Sequence, residues 1–314
     1  MRLRAAAAPV DMAVTVGSVA LPNPVMTASG TAGHGAELAP YLDLATLGAV
    51  VVKSLHAGPW PGNPALRVHE TTAGMINSVG LQGPGVAAWL VQDMPPLLAT
   101  GARVVASIWG RSVDEYGRAA DLLEVAPPEV VAVEVNLSCP NTEAGRDLFA
   151  HDAGTAAAAI GATAGCGRPR WAKLSPNVSN LVEVAAAVAE AGAEAVTLVN
   201  TAMGLAIDPE TRRFRLGSGP NGGGVSGPAI HPLAVRAVFD VHRALPGLPI
   251  VGVGGIARGA DAAEMILAGA TAVQVGTATF ADPRAPARVR DELEAWVRRQ
   301  GAAHLRELIG DVDG

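Results

Sequence analysis

The sequence predicts an α/β fold, a single (β/α)8 TIM barrel with long loops over the C-terminal face of its strands. Three observations predict it. Eight short, β-branched, mostly apolar runs recur from end to end, and helix-like segments rich in Ala, Leu, Glu and Arg separate most of them. The runs are near-continuously apolar rather than alternating, the pattern of parallel strands buried on both faces. Eight such units in about 280 residues match a barrel. An open doubly wound sheet is the main rival.

The strand-like runs are NPVMTASG (23–30), GAVVVKSL (48–55), ARVVASIWG (102–110), VVAVEVNLSC (130–139), PRWAKLSP (169–176), AEAVTLVNT (193–201), LPIVGVGGI (248–256) and TAVQVGTATF (271–280). Helix-like segments cover 85–99, 112–124, 154–165, 180–191, 231–244, 260–268 and 285–300. Two insertions break the rhythm, 56–84 and 202–230. Both are rich in Gly, Pro and Asn and both follow the C-terminal end of a strand, so both are expected to arch over the barrel mouth. Loops of that length are usually functional. No internal repeat or linker divides the chain, which reads as one domain over residues 1–314.

Composition narrows the class. The chain is 49% hydrophobic and 17% charged, enough for a large core and incompatible with disorder as the dominant state. Lys and Arg number 23 against 29 Asp and Glu, a net charge of −6, so no global basic surface offers itself to nucleic acid. Two cysteines, Cys139 and Cys166, make no disulfide framework and suit a reducing compartment. The start, MRLRAAAAPVDMAV, is too short and broken for a signal peptide. No apolar run approaches the about 18 residues of a membrane span. A cytoplasmic protein docked to no membrane is the expectation.

Each strand is apolar at its start and ends in small or polar groups: Ala28-Ser29-Gly30, Lys53-Ser54, Ser107, Asn136 with Cys139, Lys173, Asn200-Thr201, Gly254-Gly255 and Gly276-Thr277. Parallel strands present these ends on one face, where barrel active sites lie. Helix capping explains several Ser and Asn. It does not explain two lysines, which are desolvated there unless an anion or acceptor meets them. The glycines that end strands seven and eight suit a phosphate, which barrels often bind at that place through backbone N–H groups. On strand four, Asn136 and Asn141 bracket Cys139, and their amides suit a planar imide or amide ligand. Cys166 reads as a structural core thiol. The seven histidines (34, 56, 69, 151, 231, 242 and 304) form no pair at metal spacing, so no metal site is expected.

The motifs NPVMTASG, VVKSLHAGPWPGNPALRV, GMINSVGLQGPG, VEVNLSCPN, WAKLSPNV, LVNTAMG, GGGVSGPAIHPLAVR, PIVGVGGI and AEMILAGATAVQVGTATFADP follow one another from about Val14 to Asp311. In that order they closely resemble the class 1 dihydroorotate dehydrogenases, flavoenzymes of pyrimidine synthesis. Cysteine in SCPN, where the class 2 membrane enzymes have serine, places the resemblance in class 1. NTAMG…DPETRR and GTATFADP resemble class 1B, the NAD-linked form, more than the fumarate-linked class 1A.

The resemblance implies FMN held by Ala28, Ser29, Gly30, Lys53, Ser54, Ser107, Asn136, Lys173, Val199, Gly227, Gly254, Gly255, Gly276 and Thr277, the last four cradling the phosphate. Lys173 would sit by the N1/C2 oxygen region, where a cation stabilises reduced flavin. Dihydroorotate would be bound by Lys53, Asn77, Ser78, Val79, Gly80, Leu81, Asn136, Asn141, Asn200 and Thr201. Its oxidation to orotate would send a hydride to FMN N5 and a proton to Cys139 as base. Electrons would pass to NAD+ through a second subunit carrying FAD and a [2Fe–2S] cluster, with this chain a homodimer inside a heterotetramer. Ser107 stands where class 1B often has Asn, Gly83 replaces the Asn of the family's GLQNPG, and the 142–152 loop carries Arg146. Two other functions remain open on the residues: a flavin enzyme acting on another pyrimidine, and a phosphate-binding barrel without redox chemistry.

Overall fold

The computed structural model of the protein describes residues 10–138 and 149–312. Eight parallel strands form its centre: β1 (Val25–Thr27), β2 (Val50–Val51), β3 (Val104–Ile108), β4 (Val130–Asn136), β5 (Arg170–Lys173), β6 (Ala195–Leu198), β7 (Ile250–Val253) and β8 (Ala272–Val275). Each lies inside one of the eight runs expected from sequence. They pair in the order β1-β8-β7-β6-β5-β4-β3-β2. The remaining seam, between β2 and β1, is closed partly by a side chain. Thr27 Oγ1 accepts from the Val51 N–H at 2.9 Å and donates to the Val51 carbonyl at 3.3 Å. The Gly48 N–H adds a bond to the Val25 carbonyl at 2.8 Å. The chain is therefore a (β/α)8 barrel and not an open sheet.

The strands are shorter than their apolar runs. Only the two to seven residues near the waist pair with neighbours, and the small polar tails turn away over the C-terminal face. GTATF shows how: Thr277 leaves β8 and opens a single helical turn, Ala278–Ala281. Helices pack outside the strands, with caps that their sequences dictate. Ser112 accepts from the Glu115 N–H at 3.2 Å to start Val113–Asp121. Asp152 accepts from the Thr155 N–H at 2.7 Å to start Ala153–Ala162. Such caps stabilise a helix by ~1 kcal/mol. The predicted helix 85–99 is divided at Asp93 into Val86–Gln92 and Met94–Leu98. Pro95 and Pro96 lack an N–H and are tolerated only in a first turn, so a new helix must begin there.

Buried apolar residues from strands and helices form one core cluster, with Trp89, Trp171, Tyr116 and Phe149 the largest fully enclosed side chains. A hairpin, Val14–Val16 with Val19–Leu21, sits at the N-terminal end, where the Ser18 N–H donates to Glu194 just ahead of β6. The other end is covered by the two insertions, which pair with each other. Ala202–Gly204, Gly223–Ser226, Gly74–Asn77 and Val68–Thr71 form a four-stranded antiparallel sheet in that order. Both insertions were expected over the mouth, and their union in one sheet was not expected. No helix among the described residues is long and apolar enough to cross a membrane.

Candidate active site

A cavity of about 520 Å³ lies between the C-terminal ends of the barrel strands and this sheet. That volume falls in the range of roughly 300–1,000 Å³ typical of small-molecule sites. Strand ends far apart in sequence converge on it: Ala28, Ser29 and Gly30 after β1, Lys53 and Ser54 after β2, Asn136 on β4, Lys173 on β5, Val199 to Thr201 after β6, Gly254 and Gly255 after β7, and Gly276 and Thr277 after β8. Asn77, Val79, Gly80, Leu81 and Gly227 enter from the insertions.

Hydroxyls and amides make up a bonded floor. Ser54 Oγ shares hydrogen bonds with Ser29 Oγ at 3.1 Å and Ser107 Oγ at 2.9 Å, and accepts from Asn136 Nδ2 at 3.3 Å. Asn136 Oδ1 accepts from Asn200 Nδ2 at 3.0 Å and from the Ser138 N–H at 3.2 Å. Asn200 Oδ1 in turn accepts from the Thr201 N–H at 2.8 Å. The Tyr116 hydroxyl ties the strand down from behind, donating to the Asn136 carbonyl at 2.6 Å. Each amide is locked in one orientation by its neighbours, the preorganisation that recognition of a planar polar ring requires.

The β7–β8 side is different, built of backbone. Gly254 and Gly255 have φ of 141° and 69°, conformations that a side chain resists. A Cβ at Gly254 would stand 2.6 Å from Ala234 Cβ, and one at Gly255 2.6 Å from His231 Cβ. His231 Nδ1 donates to the Gly254 carbonyl at 2.8 Å, and its Nε2 lies 3.1 Å from Glu264 Oε2. Thr277 Oγ1 donates to Ser226 Oγ at 2.8 Å across the same corner. Glycine backbone, two hydroxyls and few bulky side chains make a cradle of the kind an anion such as a phosphate occupies.

Charge enters the cavity mainly through lysines. Lys173 is buried, with Nζ 3.5 Å from Glu134 Oε1. Glu134 Oε2 accepts from Gln274 Nε2 at 2.7 Å and Thr197 Oγ1 at 3.2 Å. Near Lys53, burial and then the lysine's charge push His34 below the usual imidazole range, which keeps it neutral. Leu81 holds a φ of 59° on the cavity wall, a left-handed conformation that costs a non-glycine residue about 1–2 kcal/mol.

Of the residues expected at the site, Ser107 and Ser78 stand apart. Ser107 is wholly enclosed and supports Ser54 from below, so it shapes the floor without facing the cavity. Ser78 Oγ is buried with no hydrogen-bond partner among the described residues, while the Ser78 N–H donates to the Arg67 carbonyl at 2.8 Å. Cys139 and Asn141 lie outside the described residues. Cys166 is a core thiol as expected: it donates to the Arg168 carbonyl at 3.5 Å, and burial pushes its pKa up. Sequence reasoning missed Thr31, Val68, Met75, Ser138, Ser226, Ile230, Val253 and Phe280, which also line the cavity. Thr31, Ser138, Ser226 and Val253 each adjoin a predicted residue. Val68 and Met75 had no local signal, since only the pairing of two distant insertions brings them there. Glu134 had one: it is the lone carboxylate in the apolar run VVAVEV.

Comparison with known proteins bears on what this geometry serves. Residues 11–297 match the family model described as dihydroorotate dehydrogenase. The chain is 46% identical over 304 residues to the dihydroorotate dehydrogenase B (NAD(+)), catalytic subunit, of Trichlorobacter lovleyi, covering 96% of this chain and 99% of that one. It is 49% identical over 303 residues to the protein of the same name in Desulforudis audaxviator, covering 96% and 97%. The counterpart in Geobacter sulfurreducens is 43% identical over 304 residues, covering 96% and 98%.

Proposed function

This chain belongs to the dihydroorotate dehydrogenase family, and from that premise we propose that it oxidises (S)-dihydroorotate to orotate with FMN in the mouth cavity. The observation that carries this reading is the cavity itself. Two lysines from different strands, a locked cluster of asparagine amides and a glycine cradle line one space. An isomerase or aldolase barrel needs the cradle but not the amides beside it.

The residues divide the work by their chemistry. Gly254, Gly255, Gly276 and Thr277 suit the phosphate end of FMN, and Ala28, Ser29, Gly30, Ser54, Val199 and Gly227 its rings and chain. Lys53 suits the carboxylate of dihydroorotate, because a flexible ammonium can meet a carboxylate as a point charge. Asn77, Asn136, Asn200 and Thr201 suit its imide edges, with Asn141 adding a contact and Val79, Gly80 and Leu81 forming the wall. Dihydroorotate becomes orotate by losing a proton from C5 and a hydride from C6, and FMN supplies the hydride acceptor when bound. Cys139 takes the C5 proton. The four-stranded sheet keeps bulk water from the reacting face, which strengthens each charged contact below it. A partner subunit with FAD and a [2Fe–2S] cluster relays the electrons to NAD+, and the assembly is cytoplasmic.

The test is an anaerobic titration of the purified protein with dihydroorotate, followed between 350 and 500 nm. Bleaching of flavin absorbance on stoichiometric addition is the expected result. Flavin that stays oxidised moves the function to another pyrimidine, and protein without flavin returns it to a phosphate-binding barrel. Cys139→Ala is expected to keep its flavin and to be reduced about 10²–10⁴-fold more slowly, the range for loss of a general base. Unchanged reduction in that variant removes Cys139 from the role.

A further inference from the structure

We propose that Glu134 is a positioning residue that sets how much positive charge Lys173 presents to the flavin, and so tunes the flavin's reduction potential. The inference rests on the reading of the cavity as a flavin site.

Glu134, Thr197 and Gln274 come from β4, β6 and β8, all three wholly buried inside the barrel. Side chains from alternate strands form such interior layers, which are normally filled by Val, Ile and Leu. Here the layer is polar and holds an ion pair with Lys173 of β5, itself 5% exposed. Taking both charges out of water costs several kcal/mol per ion, and apolar residues of similar volume stabilise a fold at least as well. Packing alone therefore gives no reason for the pair.

The arrangement is directional. Lys173 lines the cavity and Glu134 does not. Oε2 of Glu134 takes two neutral donors, at 2.7 and 3.2 Å, while Oε1 faces the ammonium at 3.5 Å. The Gln274 and Thr197 donors hold the carboxylate in place, so the negative end of the pair is fixed below the cavity and the positive end at its floor. A ligand above meets a partly compensated ammonium instead of a full charge. Reduced flavin is anionic, and a cation beside it favours reduction. Removing the carboxylate charge while keeping its shape leaves Lys173 uncompensated in a medium of low dielectric.

The experiment compares holo wild type with Glu134→Gln by reduction against indicator dyes of known potential, without dihydroorotate. At a fixed potential the variant's ratio of reduced to oxidised flavin is expected to rise at least tenfold, an upward shift of about 30 mV for a two-electron couple. An unchanged or lowered potential overturns the proposal, whatever the variant's thermal stability, because a merely structural carboxylate would alter stability and not potential. If Glu134→Gln does not fold, Glu134→Asp withdraws the carboxylate by one methylene. It is expected to shift the potential in the same direction by less, and no shift again overturns the proposal. Wild-type flavin that binds but is not bleached by dihydroorotate would sink the substrate reading and leave this measurement intact. Protein that binds no flavin would overturn both.

Discussion

Glu115 shows how far one side chain's environment can be turned into an expectation about pH. Burial opposes ionisation of this carboxyl. The Arg111 side chain and N–H and the His56 ring outweigh that cost and hold it at about 2, from an ordinary 4.5. Arg111 meets it at 2.9 Å and His56 at 3.3 Å, while His56, Trp60 and Trp109 pack tilted or edge-on at 5.0–5.7 Å between ring centroids. The cluster pins the start of the first insertion to the helix after β3. A carboxyl depressed in the folded state stabilises it above the unfolded pKa, and the benefit fades as pH falls through the folded one. Glu115→Gln should therefore melt below wild type at pH 7, with the gap constant down to about pH 4.5 and closing toward pH 2. Melting curves at pH 7, 4 and 3 would show it, and a gap independent of pH would refute it. Only the Arg111–Glu115 spacing was legible locally, because His56, Trp60 and Glu115 come together only through the fold. The place of Lys53, Lys173, Asn136 and Asn200 at the cavity was legible, since a polar group that ends a buried apolar run needs a reason.

The strands themselves were legible for a similar reason: a run apolar on both faces has few places to go except the middle of a parallel sheet. Their ends and their closure were not, being decided by neighbours remote in sequence. Thr27 illustrates the difference. In NPVMTASG it reads as an ordinary β-branched strand residue, yet its hydroxyl serves both the N–H and the carbonyl of Val51 at the one seam that strand pairing leaves incomplete. Thr27→Val keeps the shape and removes both bonds. Each buried backbone group left without a partner costs about 1–3 kcal/mol, so the variant should lose roughly 2–6 kcal/mol, read as a lower urea midpoint. A midpoint within error of wild type would mean that main-chain pairing closes the barrel unaided. The mouth sheet follows the same logic. Its four strands are short, three of them contain glycine, and each half pairs within itself but leaves an open edge until the other insertion, over 140 residues away, supplies a partner.

The barrel as assembled gathers two lysines, locked asparagine amides and a glycine cradle on one face, and the destination of the electrons in the proposed reaction is argued from the whole chain. A [2Fe–2S] cluster is ordinarily held by four thiolates, and the chain has two cysteines, one of them a core thiol. The described residues also hold no group of three or more His, Cys, Asp or Glu placed to share a metal. A cluster route to NAD+ therefore requires a second polypeptide, in keeping with relatives named as catalytic subunits. Dihydroorotate should reduce the purified chain once, stoichiometrically, and NAD+ added alone should then give no steady turnover at 340 nm. Turnover should begin when the electron-transfer subunit is supplied. Steady turnover with fumarate and no partner would instead make the chain self-sufficient and fumarate-linked. The two outcomes separate cleanly, because the first needs a docking event between proteins and the second needs only a small molecule small enough to enter the cavity that dihydroorotate has left.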